Sequence, residues 1–511
     1  MARAHSVVAP SVNPTPSREH ICLLTGGGYP YRRDALGGWC RTLVEGLHRF
    51  RFELLTVTDR ELPSAPAYPL PPNVGSARAV ALGHEPARSG RRRAQLPEGA
   101  ADAVTQFCHG LLDESAPDRF TAGLRWIAEV SGNRPNPLTR LPLADKLLDV
   151  WWARQDAAVE ELPRFGVRDA RIVAALLRHA LRALAVPVPE VDLVHCVGGT
   201  TPLLAALSGR WRSGTPLLLT EARTPVARQR PTEERHSPAV RLLLRRFRAA
   251  VARTGYAEAD LIAPLSGYHQ TFALEHGADP ARLIQVPAGV DPKEYPGAAE
   301  IDSPPTLVWA GSGGPDSGLT LVLDAFTEIA AALPDAVLHL VGVTEAHEEH
   351  CADQIERTGL AGTIRMHPLP ADPCERFTVG QVVAHVPGPS DPPSRLVEAM
   401  MSGRPVVALD IGPAGETLGE TGVVVPADDP SELAIAIVDL LRATPRRRAL
   451  GGAARRRALD HFTADRVMRV YGALYTDLAE PPPEPAIELA LAVPAPRTPT
   501  PATLRWLTRE D

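Results

Sequence analysis

Arg395-Leu396-Val397-Glu398-Ala399-Met400, followed after one residue by Ser402-Gly403-Arg404-Pro405-Val406-Val407, is the stretch on which the fold turns. It reads as a helix over 392–401 running into a short apolar strand at 405–409. A helix delivering an apolar strand is the repeating unit of a parallel sheet with helical crossovers. Further short apolar strands stand on both sides, at 306–310, 336–342, 381–387 and 422–425, with helices at 319–332 and 431–441 between them. The last helix has a legible start, because Asp429, Pro430 and Glu432 occupy the cap, first and third helical positions of a capping box.

Upstream the same alternation recurs. A strand at 21–24 leads into Gly26-Gly27-Gly28 and a helix at 36–48. Later strands fall at 191–195, 216–220, 261–264 and 283–286, with helices at 202–208, 240–253 and 268–276. Between them, over about 60–190, lies a helical insertion that opens on a Pro- and Arg-rich loop at 86–93. At 511 residues the chain exceeds one ordinary core of roughly 100–200 residues, so two domains are expected.

Composition excludes several classes. With 44% hydrophobic and 22% charged residues and no uninterrupted apolar run of bilayer length, the chain is not expected to span a membrane. Residues 1–20 lack the apolar core of a secretory signal, which places the chain in the cytoplasm. A net charge of −6 and 5% aromatic residues argue against a nucleic-acid partner. The six cysteines form no Cys-x-x-Cys pair, so neither a disulfide framework nor a zinc site is indicated. Lys146 and Lys293 are the two lysines, which leaves arginine to supply nearly all positive charge.

Several ordered motifs resemble those of family 4 glycosyltransferases, enzymes of the GT-B fold in which two Rossmann-like α/β domains face a cleft. Val286-Pro287-Ala288-Gly289-Val290-Asp291 is similar to the family's linker strand, and the opening stretch to its Leu-Glu-Ala-Met helix. Gly412–Glu416 with Thr421-Gly422-Val423 resembles a further signature, and 462–475 the helix that crosses back to the first domain. Tyr29-Pro30-Tyr31, Gly37-Gly38-Trp39, Asp192-Leu193-Val194-His195 and Leu218-Leu219-Thr220-Glu221 resemble the PelF-like branch, which has a DUF3492-type first domain. The match runs over about 18–478 and implies this organisation: a disordered stretch 1–17, a first, acceptor-side domain 18–290 carrying the insertion, a nucleotide-sugar-binding domain 291–464, a crossing helix 465–479 and a disordered Pro-rich tail 480–511.

In open α/β sheets ligands lie beyond the carboxyl ends of the strands, where helix N-termini offer unpaired N–H groups to a diphosphate. The resemblance implies a retaining, metal-independent transfer of a hexose from a nucleotide sugar, without a cofactor, to a glycan, lipid-linked or small-molecule acceptor. It places Glu398 on the ribose, with Ser390, Leu396 and Val397 beside the donor and Gly311, Ser312, Gly313 and Ser317 around the phosphates. The chain also departs from the family. Ser390 stands where the first carboxylate of the family's acidic pair belongs, and Asp391, seven residues before Glu398, is the nearest acid. Asp391-Pro392 reads equally as a helix cap. Ser312 and Ser317 stand near the positions of the family's Arg and Lys, and Asp316 adds negative charge. Ala222 replaces the histidine of a Thr-Glu-His motif, leaving Glu221 and the strand-end His195 as candidate catalytic groups. Gly37 and Gly38 read either as a backbone approach to the donor or as a plain turn.

The helix bearing Arg241, Arg245, Arg246, Arg248 and Arg253 reads as a solvated face or as a peripheral contact with an anionic membrane. Two functions stay open: a hexosyltransferase, or a catalytically impaired protein that keeps the fold for binding or assembly.

Overall fold

The computed structural model describes residues 4–8, 19–33, 35–59, 61–83, 98–133, 137–157, 161–222, 235–299, 303–315, 317–387, 393–427 and 429–480. Ser390, Asp391 and Asp316 lie outside the described residues, as do the loop 86–93 and the tail beyond 480.

The first domain is built on β1 (Ala4–Val8), β2 (His20–Thr25), β3 (Arg51–Thr58), β4 (Val74–Ala81), β5 (Leu193–Val197), β6 (Leu217–Glu221) and β7 (Leu261–Pro264). They lie side by side in the order β1-β4-β3-β2-β5-β6-β7. All neighbours are parallel except β1, which pairs antiparallel with β4. Buried strands need apolar residues on both faces, and Leu-Val-His-Cys-Val of β5 is buried at every position. The second domain holds β8 (Thr306–Ala310), β9 (Val337–Val341), β10 (Ile364–His367), β11 (Val382–His385), β12 (Val406–Leu409) and β13 (Val423–Val425), all parallel, in the order β10-β9-β8-β11-β12-β13.

Helices fill the crossovers. In the first domain they are α1 (Ala35–Gly46), α2 (Ala100–Leu112), α3 (Pro117–Asn133), α4 (Leu143–Asp156), α5 (Val167–Leu181), α6 (Thr200–Ser213), α7 (Pro238–Glu258) and α8 (Gly267–Glu275). In the second they are α9 (Leu319–Ala332), α10 (Glu348–Thr358), α11 (Glu375–Thr378), α12 (Ser394–Met401), α13 (Ala414–Leu418), α14 (Pro430–Arg442) and α15 (Thr444–His461). Asp429 caps α14 by accepting from the backbone N–H groups of Ser431 and Glu432 at 3.0 and 3.1 Å. Finally α16 (Ala464–Ala479) returns to the first domain, where Val467, Met468, Tyr471, Leu474 and Tyr475 join Trp39, Phe50 and Phe52 in one core. At ~1.5–3 kcal/mol per buried side chain, these five contribute on the order of 10 kcal/mol to fastening the crossing helix.

The structure corrects several readings. Residues 1–17 are not wholly without structure, because Ala4–Val8 pairs with the open edge of β4. The insertion is helical only from Ala100 onward, since β4 precedes it. The expected strand at 283–286 runs along the edge of β7, with Ile284 N and Val286 N donating to Ile262 O and Pro264 O at 3.0 Å each, but it closes only one bridge, Ile262 to Leu283, and forms no strand of its own. The Arg-rich helix α7 is not a free basic face. Arg246 is 7% exposed and donates to Leu112 O, and Arg246 and Arg253 both face Glu114. The helix packs against α2, α3, α5 and α6, while Arg245 stays exposed and Arg241 and Arg248 are half-buried. Among the described residues no helix is long and apolar enough to cross a membrane.

Candidate functional site

The carboxyl ends of the two sheets face each other. Gly267 and Tyr268 follow β7, and their backbone N–H groups donate to the Glu416 carboxylate, which follows β12, at 2.8 and 3.2 Å. Gln285 Nε2 donates to the same carboxylate at 3.0 Å. A helix N-terminus with its dipole end exposed suits this anion, so Glu416 caps α8 across the domain boundary. On another side of the boundary, Arg41 of α1 forms an ion pair with Glu294.

The loop after β8 is shaped by its neighbours. Side chains at 311, 313 and 314 would overlap Trp309, Cys351 and His347, and Gly313 has a φ of +77° that glycine adopts without strain. Ser317 does not present its hydroxyl to the cleft, because Oγ donates to Gly314 O at 2.5 Å and closes the turn. Ser312 contributes its carbonyl to Thr344 N and Oγ1. What the loop keeps for a ligand is backbone. Among the described residues no hydrogen bond takes the N–H groups of Ser312, Gly313 or Gly314. Consecutive amides of this kind can form an anion-binding concavity.

Helix α12 starts beside this loop. Arg395 Nη1 donates to Ala310 O, the last residue of β8, at 2.9 Å. Ser394, the first helical residue, is 3% exposed, and its Oγ has no hydrogen-bond partner among the described residues. Leu396 and Val397 are core residues packed among Val290, Val308 and Phe377, and their amides donate to Pro393 O, so neither offers the donor a group. Glu398 is drawn inward. It forms a buried ion pair with Arg376 of α11, whose Nη1 also reaches Tyr295 Oη at 3.4 Å. Burial opposes charge on Arg376, yet Glu398 and Tyr295 hold its pKa above the ordinary guanidinium value. Burial and the Glu398 carboxylate raise the Tyr295 phenol well above its usual range. This carboxylate is therefore committed to the protein interior on at least one oxygen.

In the first domain, His195 is corrected from a cleft candidate to a core residue. It is 0% exposed, with Nδ1 hydrogen-bonded to Tyr475 Oη at 2.6 Å and Nε2 to Thr220 Oγ1 at 2.7 Å. Thr220 in turn meets Tyr471 Oη at 2.9 Å. Burial lowers the His195 pKa to about 3, so it stays neutral and tethers α16 to β5 and β6. Glu221, 4% exposed at the end of β6, accepts from Tyr256 Oη at 2.7 Å. His269 lies against Ala222 and bonds Ser266 Oγ at 2.6 Å, with its pKa lowered by burial to about 4. Gly37 and Gly38 lie within the first turn of α1 rather than ahead of it, and a Cβ on Gly38 would meet open space. Among the described residues no group of three or more His, Cys, Asp or Glu could hold a metal ion.

Comparison with known proteins places both halves. Residues 19–281 match the model of a domain of unknown function, DUF3492, and residues 304–443 match that of glycosyl transferases group 1. The chain belongs to the DUF3492 family. This DUF3492 chain is 30% identical over 213 residues to the phosphatidyl-myo-inositol mannosyltransferase of Mycobacterium tuberculosis, covering 37% of itself and 53% of that protein. It is also 30% identical over 238 residues to the D-inositol 3-phosphate glycosyltransferase of Kineococcus radiotolerans, covering 40% and 54%. The match thus spans about half the length of these curated relatives. Among solved structures, the sucrose-phosphate synthase of Thermosynechococcus elongatus aligns with a TM-score of 0.57 at 16% identity, over 90% of this chain and 99% of that one. Anabaena HepE in complex with UDP and glucose aligns at 0.53 and 14% identity, over 90% and 100%. These likenesses show the GT-B fold.

Four residues that shape the region escaped sequence reading: Arg376, Tyr295, Arg395 and Glu416. Arg376 and Glu398 stand 22 positions apart with no motif joining them, and Tyr295 is more distant still. Arg395 and Glu416 lay inside recognised signatures, but their partners were set by the packing of other elements.

Proposed function

We propose that the chain is a retaining glycosyltransferase of the family 4 type, on the PelF-like branch. It moves a hexose from a nucleotide sugar, UDP-linked, to an envelope glycan, a lipid-linked or a small-molecule acceptor, without metal. The observation that carries this reading is the backbone-rich loop at Ser312–Gly314 next to the start of α12, at the carboxyl end of a parallel sheet matched by the glycosyl transferases group 1 model. In such a transfer the bond from the anomeric carbon to the diphosphate breaks, a bond to the acceptor oxygen forms, and the hydroxyl proton is given up. Fixed N–H donors that favour the departing diphosphate give most of the stabilisation a protein can supply at that step. The curated relatives act on inositol-containing acceptors by name, and HepE was crystallised with UDP and glucose, which favours this donor class.

A second reading is a catalytically impaired binding or assembly protein. It is favoured by the commitment of Glu398 to Arg376 and of His195 to Tyr475 and Thr220. Calorimetric titration with UDP, GDP and ADP is the test. Micromolar binding of one of them, with slow release of sugar from its nucleotide sugar, supports the enzyme; binding without turnover, or no detectable binding of any, supports the second reading and sinks the first.

A further inference from the structure

A cavity of about 370 Å³ lies where the two domains and the crossing helix meet. Its walls come from the loop after β7, the linker at 285–287, α13, the last turns of α15 and the first turns of α16, so it stands apart from α12 and the loop after β8. Its size falls in the range of small-molecule sites, about 300–1,000 Å³. Two guanidiniums and an imidazole line it. Arg457 donates Nε to Thr417 O at 2.8 Å and Nη2 to Glu416 O at 3.0 Å, which fixes its plane and leaves Nη1 without a hydrogen-bond partner among the described residues. Arg466, exposed on α16, makes no hydrogen bond or ion pair among the described residues, and His461 makes no hydrogen bond there. The acid in the lining, Glu416, already faces three N–H donors, those of Gly267, Tyr268 and Gln285 Nε2.

We propose that this cavity binds a small soluble phosphate monoester whose phosphate bridges Arg457 and Arg466, and that the bound ligand ties the two domains together. Cations brought to one cavity without a partnering anion repel each other, and a group of opposite charge between them reverses the sign of that interaction. A phosphate monoester carries about −1.5 to −2 charges at neutral pH, which matches two guanidiniums, and the guanidinium fork suits phosphate oxygens. The cavity exceeds the phosphate group itself. Its apolar wall, with Pro287, Phe462 and Val470, receives the carbon part of the ester, and Gln285 keeps Oε1 as an acceptor for a ligand hydroxyl. The two arginines belong to different bodies. Arg457 sits on α15 of the second domain, whereas Arg466 is on α16, whose Val467 and Met468 are packed into the first domain's core. An anion held by both adds a contact across the boundary beside those of Glu416, and a ligand that binds the closed arrangement better shifts the population toward it. Because the site lies outside the donor cleft and is read without turnover, the proposal stands or falls apart from the transferase reading.

The test titrates the full chain and its R466M and R457M variants with inorganic phosphate and with glycerol 3-phosphate, each with and without UDP present. Wild type is expected to bind both, the ester more tightly, and to keep that affinity when UDP is added. R466M should weaken both by about tenfold, the loss expected for one charge-assisted hydrogen-bonding partner, while its melting temperature and UDP titration stay those of wild type. R457M should weaken them at least as much; if it melts early, R466M decides alone, since Arg466 holds no internal contact among the described residues. Amide exchange at Gly267 and Tyr268 should slow several-fold in the saturated protein, and unchanged exchange would overturn the tie between the domains. Affinity of R466M within twofold of wild type overturns the site, as does loss of phosphate binding on addition of UDP, which would locate the anion in the donor cleft. No binding of either ligand up to the millimolar range also overturns it. Vesicles of phosphatidylcholine with phosphatidic acid, if they bind wild type but not R466M while glycerol 3-phosphate fails, would replace the soluble ligand by a lipid headgroup and overturn the proposal as stated.

Discussion

Replacing Glu398 by Ala separates the two roles open to this carboxylate. Glu398 is 9% exposed and its partner Arg376 reaches it from α11, with Tyr295 completing the cluster. Truncation would strand a guanidinium in the interior. Breaking one side of such a buried pair costs about 3–5 kcal/mol, whereas replacing both partners by apolar residues is often neutral. With roughly 2–4 °C of melting shift per kcal/mol for a domain of this size, Glu398→Ala should lower the second domain's melting temperature on the order of 10 °C. Arg376→Met should do the same, and the double variant Arg376→Met with Glu398→Leu should recover most of the loss. Differential scanning calorimetry of the four proteins, with UDP titration in parallel, reads both roles. If Glu398→Ala melts with wild type yet loses UDP, the carboxylate serves the ligand and the reasoning from burial is refuted.

Two further outcomes follow from the geometry. Burial holds His195 at about 3 and His269 at about 4, below their ordinary value of 6.5, so the unfolded chain binds more protons as pH falls from 6.5 toward those values. Their stabilising contribution is complete above 6.5 and is lost below it at up to ~1.4 kcal/mol per pH unit for each group. Melting temperatures between pH 8 and 5 should therefore fall only in the acid half, and His195→Gln should flatten the slope; an unchanged slope in that variant would exclude His195 as the source. Glu416→Ala removes the acceptor for Gly267 N, Tyr268 N and Gln285 Nε2, and should loosen the domains. Small-angle scattering should show a larger radius of gyration, and a profile identical to wild type would show that other contacts, such as Arg41 with Glu294, hold the domains together.

The parallel sheets were legible because their central strands are buried on both faces and read as continuous apolar runs. Leu-Leu-Leu-Thr-Glu of β6 and Val-Val-Ala-Leu of β12 are buried throughout. Two of the strands that escaped have the opposite character, whereas β3, Arg-Phe-Glu-Leu-Leu-Thr-Val-Thr, escaped although it is mostly buried. In β10, Arg365 and Met366 are exposed, and β4 is built largely of Gly, Ser, Ala and Arg, residues of weak strand preference. The site was legible only as a place. The Gly-rich loop and the helix after it could be found by motif, but whether a side chain turns toward the cleft or the interior depends on partners far along the chain. His195 illustrates this, because its two partners, Thr220 and Tyr475, lie 25 and 280 positions away.

Two arginines make polar contacts at the start and middle of α12. With two lysines in the whole chain, positive charge must come from arginine, and two arginines bracket this helix. Arg376 takes up the carboxylate of Glu398 within the interior, and Arg395 leans on the end of β8. The first contact withdraws a group that the resemblance assigns to the ribose. A site arranged this way would gain its affinity from the diphosphate more than from the nucleoside. UDP, GDP and ADP should then differ less in affinity than a ribose-reading site would make them, and pyrophosphate alone should retain a large share of the binding free energy. Restoring discrimination would require freeing Glu398, and Arg376→Met is the change that does so, at the cost of leaving that carboxylate without its buried partner.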